Sequence, residues 1–406
     1  MPLGPEYRLA TACVVWPPSE SRECAIRDAM ADPVDWERFL SMLTRHRITG
    51  LARHALTSLP DVAARIPADV RNRLDNDALT LAGENLQMQA ETGRLQRLFA
   101  TSGARVTFLK GVPLAILAYG NLALRHSKDI DIMVSPGEVS PTGRVLEDHG
   151  YARVTGPPDL RGSRWQVWLR EFYHITYLHR GKAIEVELHW RPLRNRELLY
   201  FMPDGIEQRM VRLPDGTDVP TLADEDLFAY LCAHGTLHNW LRLKWLADIS
   251  ALLNQRTALE AERLYECARQ RGAGLSAAHA MLFAHRVLHT PLPSALVRRL
   301  QAIPGTSSLE ASAMKALLDR GFQAEPTVWR RRTKAQYEWH GLRVSGRRNL
   351  SAQLRTLLIS QDDVQSLALP QGAAFLYPLI RAPRWVWRRI RQTLRPARTP
   401  RDRDRR

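Results

Sequence analysis

Two short runs constrain this chain more than anything else in it: D-I-D-I-M-V at 129–134 and A-I-E-V-E-L-H-W at 183–190. Both alternate acids with aliphatic residues, the period-two pattern of a strand that has one apolar and one polar face. Ile130 and Ile132 must then pack one way, while Asp129 and Asp131 share the other face. In the second run Ile184, Val186 and Leu188 alternate with Glu185, Glu187 and His189. Two carboxylates that close repel, and they tend to hold a proton between them unless a cation sits there. A fold that accepts these strands needs positive charge beside the acids.

Helical periodicity surrounds the strands. Trp36, Phe39, Leu40 and Leu43 recur at helical spacing behind Asp35, a predicted N-cap, and a longer helix is expected from about Ala68 to Ala100, ending at Ser102-Gly103. The period then changes. Arg105–Leu109 reads as a strand, Lys110-Gly111 as a turn, and Pro113–Tyr119 as a helix opened by a proline tolerated in its first turn. Ser127–Val134 is the next strand, and Val139–His149 a helix closed by Gly150. Phe172–Leu178 and Ala183–Trp190 pair as a hairpin with Gly181 at its turn. Helical spacing returns from Ala223 to about Leu300, with Asp224 and Asp226 at a helix start. The expected organisation is a helical region over 1–103, a small mixed α/β core over 104–220, a helical domain over 221–303, and a C-terminal region over 304–406.

Charge narrows the function classes. The chain carries a net +16, but residues 381–406 hold eleven arginines against two aspartates. The tail is therefore the basic element, and the body is only mildly basic. Trp387, Ile390 and Leu394 fall on one side of that tail among arginines. This pattern suits either weak contact with an anionic membrane or nucleic acid, or a surface helix docked on the body. No apolar run approaches the ~18 residues of a membrane span. The first residues lack a basic n-region and a cleavage site, which predicts a cytoplasmic protein, at most peripheral at a membrane. Cys13, Cys24, Cys232 and Cys267 form no C-x-x-C pair and read as structural thiols.

Features on either side of the acids favour a cation that also meets phosphate. Mg²⁺ suits one or two carboxylates plus phosphate oxygens. The Leu109-Lys110-Gly111 turn leads into a helix whose exposed N–H groups favour a phosphate, and Gly111 permits close approach. Arg125 and Ser127 alternate in phase with Asp129 and Asp131, and Arg offers a planar donor fork for phosphate. The strand at 184–189 supplies a third carboxylate, Glu187 or Glu185.

The run L-K-G…Y…R-x-S-x-D-I-D-I-M-V, followed by E-L-H-W-R, resembles the nucleotidyltransferase superfamily with the DNA polymerase β-like fold. Within it the chain is most similar to a bacterial branch described as uncharacterised nucleotidyltransferases. The resemblance extends to C-A-H-G-T-L-H-N-W-L-R-L-K-W-L-A-D-I and covers about 100–253. It implies an α+β fold, a small mixed-sheet core flanked by N-terminal and C-terminal helical regions. It also implies Asp129, Asp131 and Glu187 as catalytic and metal-binding acids, two Mg²⁺ ions, and an NTP co-substrate held near Lys110, Gly111, Arg125 and Ser127. The reaction implied is transfer of a nucleoside monophosphate to a hydroxyl of a small molecule, sugar, peptide or protein. A biosynthetic role in polysaccharide or peptide natural products follows by the same analogy. The chain departs from the superfamily at the phosphate turn, where Val112 and Pro113 follow Gly111 and no serine does. Lys110 or Ser127 is expected to replace that contact.

Four residues remain as substrate contacts to be weighed against plain packing: Glu185, His189, His234 and His238. His189 is equally a structural histidine beside Trp190. His234 and His238 have metal-ligand spacing but lack the glutamate of an H-E-x-x-H motif, so packing is expected. Asp248 is expected to bond a neighbouring helix or a basic side chain, and Trp240 and Trp245 to lie in the core. The alternative function is an altered, inactive member acting as a basic binding protein. That reading leaves the order of Gly111, Asp129, Asp131 and Glu187 unexplained.

Overall fold

The computed structural model describes residues 4–160, 162–200, 205–318, 358–367 and, beyond these, 369, 373, 376, 377, 379 and 380. The tail at 381–406 lies outside the described residues. Six helices come first: α1 (Pro5–Cys13), α2 (Glu20–Ala29), α3 (Trp36–His46), α4 (Thr49–Thr57), α5 (Pro60–Ala63) and the long α6 (Ala68–Ser102). Asp35 caps α3 by accepting from the Arg38 N–H, and Gly103 closes α6 in the left-handed conformation. Both boundaries were legible from side-chain chemistry.

Seven strands form one mixed sheet in the order β3-β4-β5-β2-β1-β7-β6. They are β1 (Thr107–Phe108), β2 (Asp129–Met133), β3 (Tyr151–Arg153), β4 (His174–His179), β5 (Ile184–His189), β6 (Gln208–Arg212) and β7 (Asp218–Leu222). Helices α7 (Val112–Tyr119), α8 (Val139–Asp148) and α9 (Gly162–Glu171) connect them. After the sheet come α10 (Asp224–Leu237), α11 (Leu243–Asn254), α12 (Ala258–Gln270), α13 (Gly274–Leu288), α14 (Ser294–Gln301), α15 (Thr306–Leu318) and α16 (Gln361–Ser366). The class is the expected α+β, a mixed sheet with helical regions on both sides in sequence.

The sheet's aliphatic face does what its period requires. Ile130, Ile132, Val186 and Leu188 are buried with Phe99, Trp168 and Trp190 in one apolar cluster. A second cluster joins the first helices to those after the sheet, through Phe39, Leu43, Phe228, Trp240, Leu246 and Phe283. Burying apolar surface in both is the main stabilising term.

Several features differ from expectation. The helical stretch after Ala223 is broken between α10 and α11, where Asn239 and Trp240 take positive φ. The Trp240 ring folds back against Gly235, so close that a Cβ there would lie 2.3 Å from it. Burial of a large ring outweighs continuation of the helix. In the β4–β5 turn the left-handed residue is Ala183 rather than Gly181. Strands β3, β6 and β7 and helix α9 carry too little periodicity to read locally.

Two buried imidazoles set a pH limit on this fold. His46, which accepts a hydrogen bond from the Leu243 N–H at 3.2 Å, and His279 are both pushed down to about 3 by burial, with Arg45 and Arg242 adding to the effect at His46. Below the ordinary 6.5 the unfolded chain takes up protons that the folded chain refuses. Their contribution is complete above 6.5 and is lost as pH falls towards 3. Melting followed by circular dichroism should give a lower Tm at about pH 5 than at about pH 7.5. An equal or higher Tm at the acid pH would contradict it.

Candidate active site

Parallel pairing of β2 with β5 sets Asp129 beside Glu185 and Asp131 beside Glu187. Ligand atoms of Asp129, Asp131 and Glu187 all lie within 4.8 Å of one another. Of the two β5 acids, Glu187 is the one that closes this group. Glu185 stays in register with Asp129 on the same face.

Lys110 supplies the positive charge. Strand β1 is only two residues long, but the Leu109 N–H donates to the Asp131 carbonyl at 2.9 Å and carries the pairing one residue further. Lys110 is thereby delivered over the acids, its Nζ 2.9 Å from Asp131 Oδ2 and 3.4 Å from Asp129 Oδ2. Burial opposes its charge, yet the two carboxylates outweigh burial and hold its pKa well above the ordinary value. Burial also opposes charge on Asp129, but Lys110 keeps that carboxyl below its usual range. Asp131 is 1% exposed, and burial lifts it to about 6 against the pull of Lys110.

His189 closes the far side. Its Nε2 lies 3.2 Å from Glu187 Oε2 and 3.3 Å from Asp131 Oδ1. Burial disfavours the imidazolium, but the two carboxylates raise the ring to about 9. Glu187 is held well below its usual range, because His189 outweighs burial there.

The turn and strand entry are built by a buried polar network. Gly111 sits at φ 78° and ψ −126° and caps α7. Arg125 was expected to present a donor fork to a phosphate, but in the structure that fork has a protein partner. Nε donates to Asp248 Oδ1 at 2.9 Å and Nη2 donates to Oδ2 at 3.0 Å. Its Nη1 reaches the Gly111 carbonyl and Ser127 Oγ, each at 3.4 Å. The Tyr119 hydroxyl also donates to Asp248, so this acid bonds a basic side chain and a neighbouring helix, as expected. Ser127 is buried, and its N–H donates to Asn85 on α6.

His234 and His238 lie with ring centres 4.6 Å apart and both face Trp245, at 5.5 and 5.1 Å. They form an aromatic cluster whose electrostatic neighbours include Lys110 and Glu187. Sequence reasoning passed over Lys244, Tyr173 and His174. Lys244 is buried, donates to the His126 carbonyl at 2.9 Å, and has its pKa pushed well down by burial and then by Arg125. It stood in the quoted L-R-L-K-W-L signature, but nothing local distinguishes it from a surface lysine. A groove of about 510 Å³ lined by Ala82, Leu86, Ile116 and Leu213 contains none of these acids.

Gly111 is expected to resist substitution for conformational rather than steric reasons. An added Cβ would meet the Asp129 carbonyl at 3.5 Å and Ser127 Oγ at 3.9 Å, ordinary contacts, but φ +78° strains any L-residue. Gly111→Ala should lower unfolding free energy by about 1–3 kcal/mol in urea denaturation. A loss below about 0.5 kcal/mol would show that the turn does not need glycine.

A model of a family described as uncharacterised nucleotidyltransferases matches residues 32–289, well over half of the chain. The protein belongs to that family. Neither the curated proteins nor the solved structures contain a match to it.

Proposed function

We propose that this family member is a Mg²⁺-dependent enzyme that moves a nucleoside monophosphate from an NTP to a hydroxyl of its acceptor. The observation that carries the reading is the convergence of Asp129, Asp131 and Glu187 to within 4.8 Å beneath a glycine turn. The residues present fit divalent ions, because the three acids offer oxygen ligands and Asp131 is buried with neither oxygen in hydrogen-bond alignment. Asp129, Asp131 and Glu187 would hold the ions. Such ions, when bound, neutralise phosphate charge and activate the attacking hydroxyl.

The chain's own residues do the rest. Gly111 opens α7 towards the phosphates without a Cβ to stand in the way of its backbone. Lys110 offers an ammonium in the place of the usual turn serine, while Ser127 braces the turn through Arg125. His189 orients the Glu187 carboxylate. In the reaction the acceptor oxygen bonds to the α-phosphorus, the bond from that phosphorus to the bridging oxygen breaks, and pyrophosphate leaves. The acceptor's proton goes to solvent or to a site carboxylate.

The test is to incubate the purified protein with each NTP, Mg²⁺ and cell extract. Mass spectrometry would then seek an acceptor heavier by one nucleoside monophosphate, alongside pyrophosphate release. Failure of all four nucleotides to give either product would overturn the proposal.

A further inference from the structure

We propose that His174, Glu187 and His189 form a second metal site, for a transition-metal dication, which shares Glu187 with the carboxylate group. The inference goes beyond the nucleotidyl-transfer reading and does not depend on it. It begins from strand geometry. Glu187 and His189 are two apart on β5 and share a face. The antiparallel register sets His174 of β4 directly opposite His189, which brings their side chains to that same face.

The distances suit coordination. One ligand atom from each of the three residues lies within 4.8 Å of the others. The two imidazole centres are 5.1 Å apart. Rings bonded through nitrogen at about 2.0 Å to one tetrahedral ion would have centres about 5 Å apart. His189 Nε2 lies 3.2 Å from Glu187 Oε2. A tetrahedron with bonds of about 2.0 Å has edges of about 3.3 Å, so this separation matches an edge.

Donor type decides the ion. Mg²⁺ takes oxygen ligands and keeps its waters, so two imidazoles suit it poorly. Imidazole with carboxylate suits Zn²⁺ and its neighbours in the first transition row. Three protein ligands leave a fourth position open, the arrangement of reactive rather than structural zinc sites. Tyr173 walls the site, its ring 4.3 Å from that of His174 and 5.5 Å from that of His189. Glu187 thus lies between an oxygen-only group and a nitrogen-rich one.

The test uses the full chain, stripped with chelator and titrated with Co²⁺ in the absence of nucleotide. One Co²⁺ should bind with a visible d–d band, be displaced by one Zn²⁺, and resist millimolar Mg²⁺. His174→Gln should weaken Zn²⁺ binding at least about tenfold, whereas Asp129→Asn should change it by less than about threefold. His174→Asn serves if glutamine disturbs the fold, and circular dichroism reports folding of each variant. No d–d band in the unsubstituted protein, equal displacement by Mg²⁺, or unchanged affinity in a folded His174 variant would overturn the site. Zn²⁺ binding that persists in a protein inactive with every NTP would leave this site standing and remove the nucleotidyl-transfer reading alone.

Discussion

Asp129→Asn and Asp131→Asn should each lower Mg²⁺-dependent nucleotidyl transfer by at least about a thousandfold. Amides keep the shape of the acids but remove the charge that would hold divalent ions. Metal stabilisation of phosphoryl-transfer charge is worth several kcal/mol, and about 4 kcal/mol is a thousandfold in rate. The two variants should differ in stability. The Asp129 side chain is 35% exposed and has only the longer of the two contacts with Lys110, so its loss should be tolerated by the fold. Asp131 is buried between Lys110 and His189, and its replacement leaves both cations less compensated. Asp131→Asn should therefore also lower Tm. Pyrophosphate release measured with the responsive NTP checks the activity, and retention within about tenfold of the original rate would remove these acids from the mechanism.

Asp248→Ala should destabilise the protein by about 3–5 kcal/mol, the cost of leaving one partner of a buried ion pair uncompensated. Arg125 is 4% exposed, and two of its nitrogens rest on Asp248. Without that carboxylate its guanidinium keeps only the long contacts to Gly111 and Ser127. The Tyr119 hydroxyl loses its acceptor as well. Urea unfolding of Asp248→Ala against the unsubstituted chain measures the change. A loss under about 1 kcal/mol would mean that the pair is not what holds α11 to the Gly111 turn.

Much of the site was legible because it is local. The alternation in D-I-D-I places two acids on one face whatever the rest of the chain does, and Ile130 and Ile132 are buried on the other. The same pattern exposed Glu185 and Glu187 as alternatives. The choice between them was not local, since it depends on the parallel register of β5 against β2. Arg125 shows the limit most plainly. Its phase with Asp129 and Asp131 is a local fact, but its partner lies 123 residues away on α11.

Sequence alone determined the acid-bearing strands, the glycine turn, the long helix ending at Gly103 and the α+β class. The strands, the turn and the helix follow from side-chain period, caps and backbone freedom within a few residues, and the α+β class from the family resemblance those motifs carry. Only the tertiary structure decided that Lys110 bridges the acids, that His174 stands opposite His189, and that the helix after Ala223 breaks at Asn239 and Trp240. Those outcomes depend on strand register, buried charge pairing and ring packing between segments far apart in the chain. Their free energies belong to contacts that no short window of residues contains.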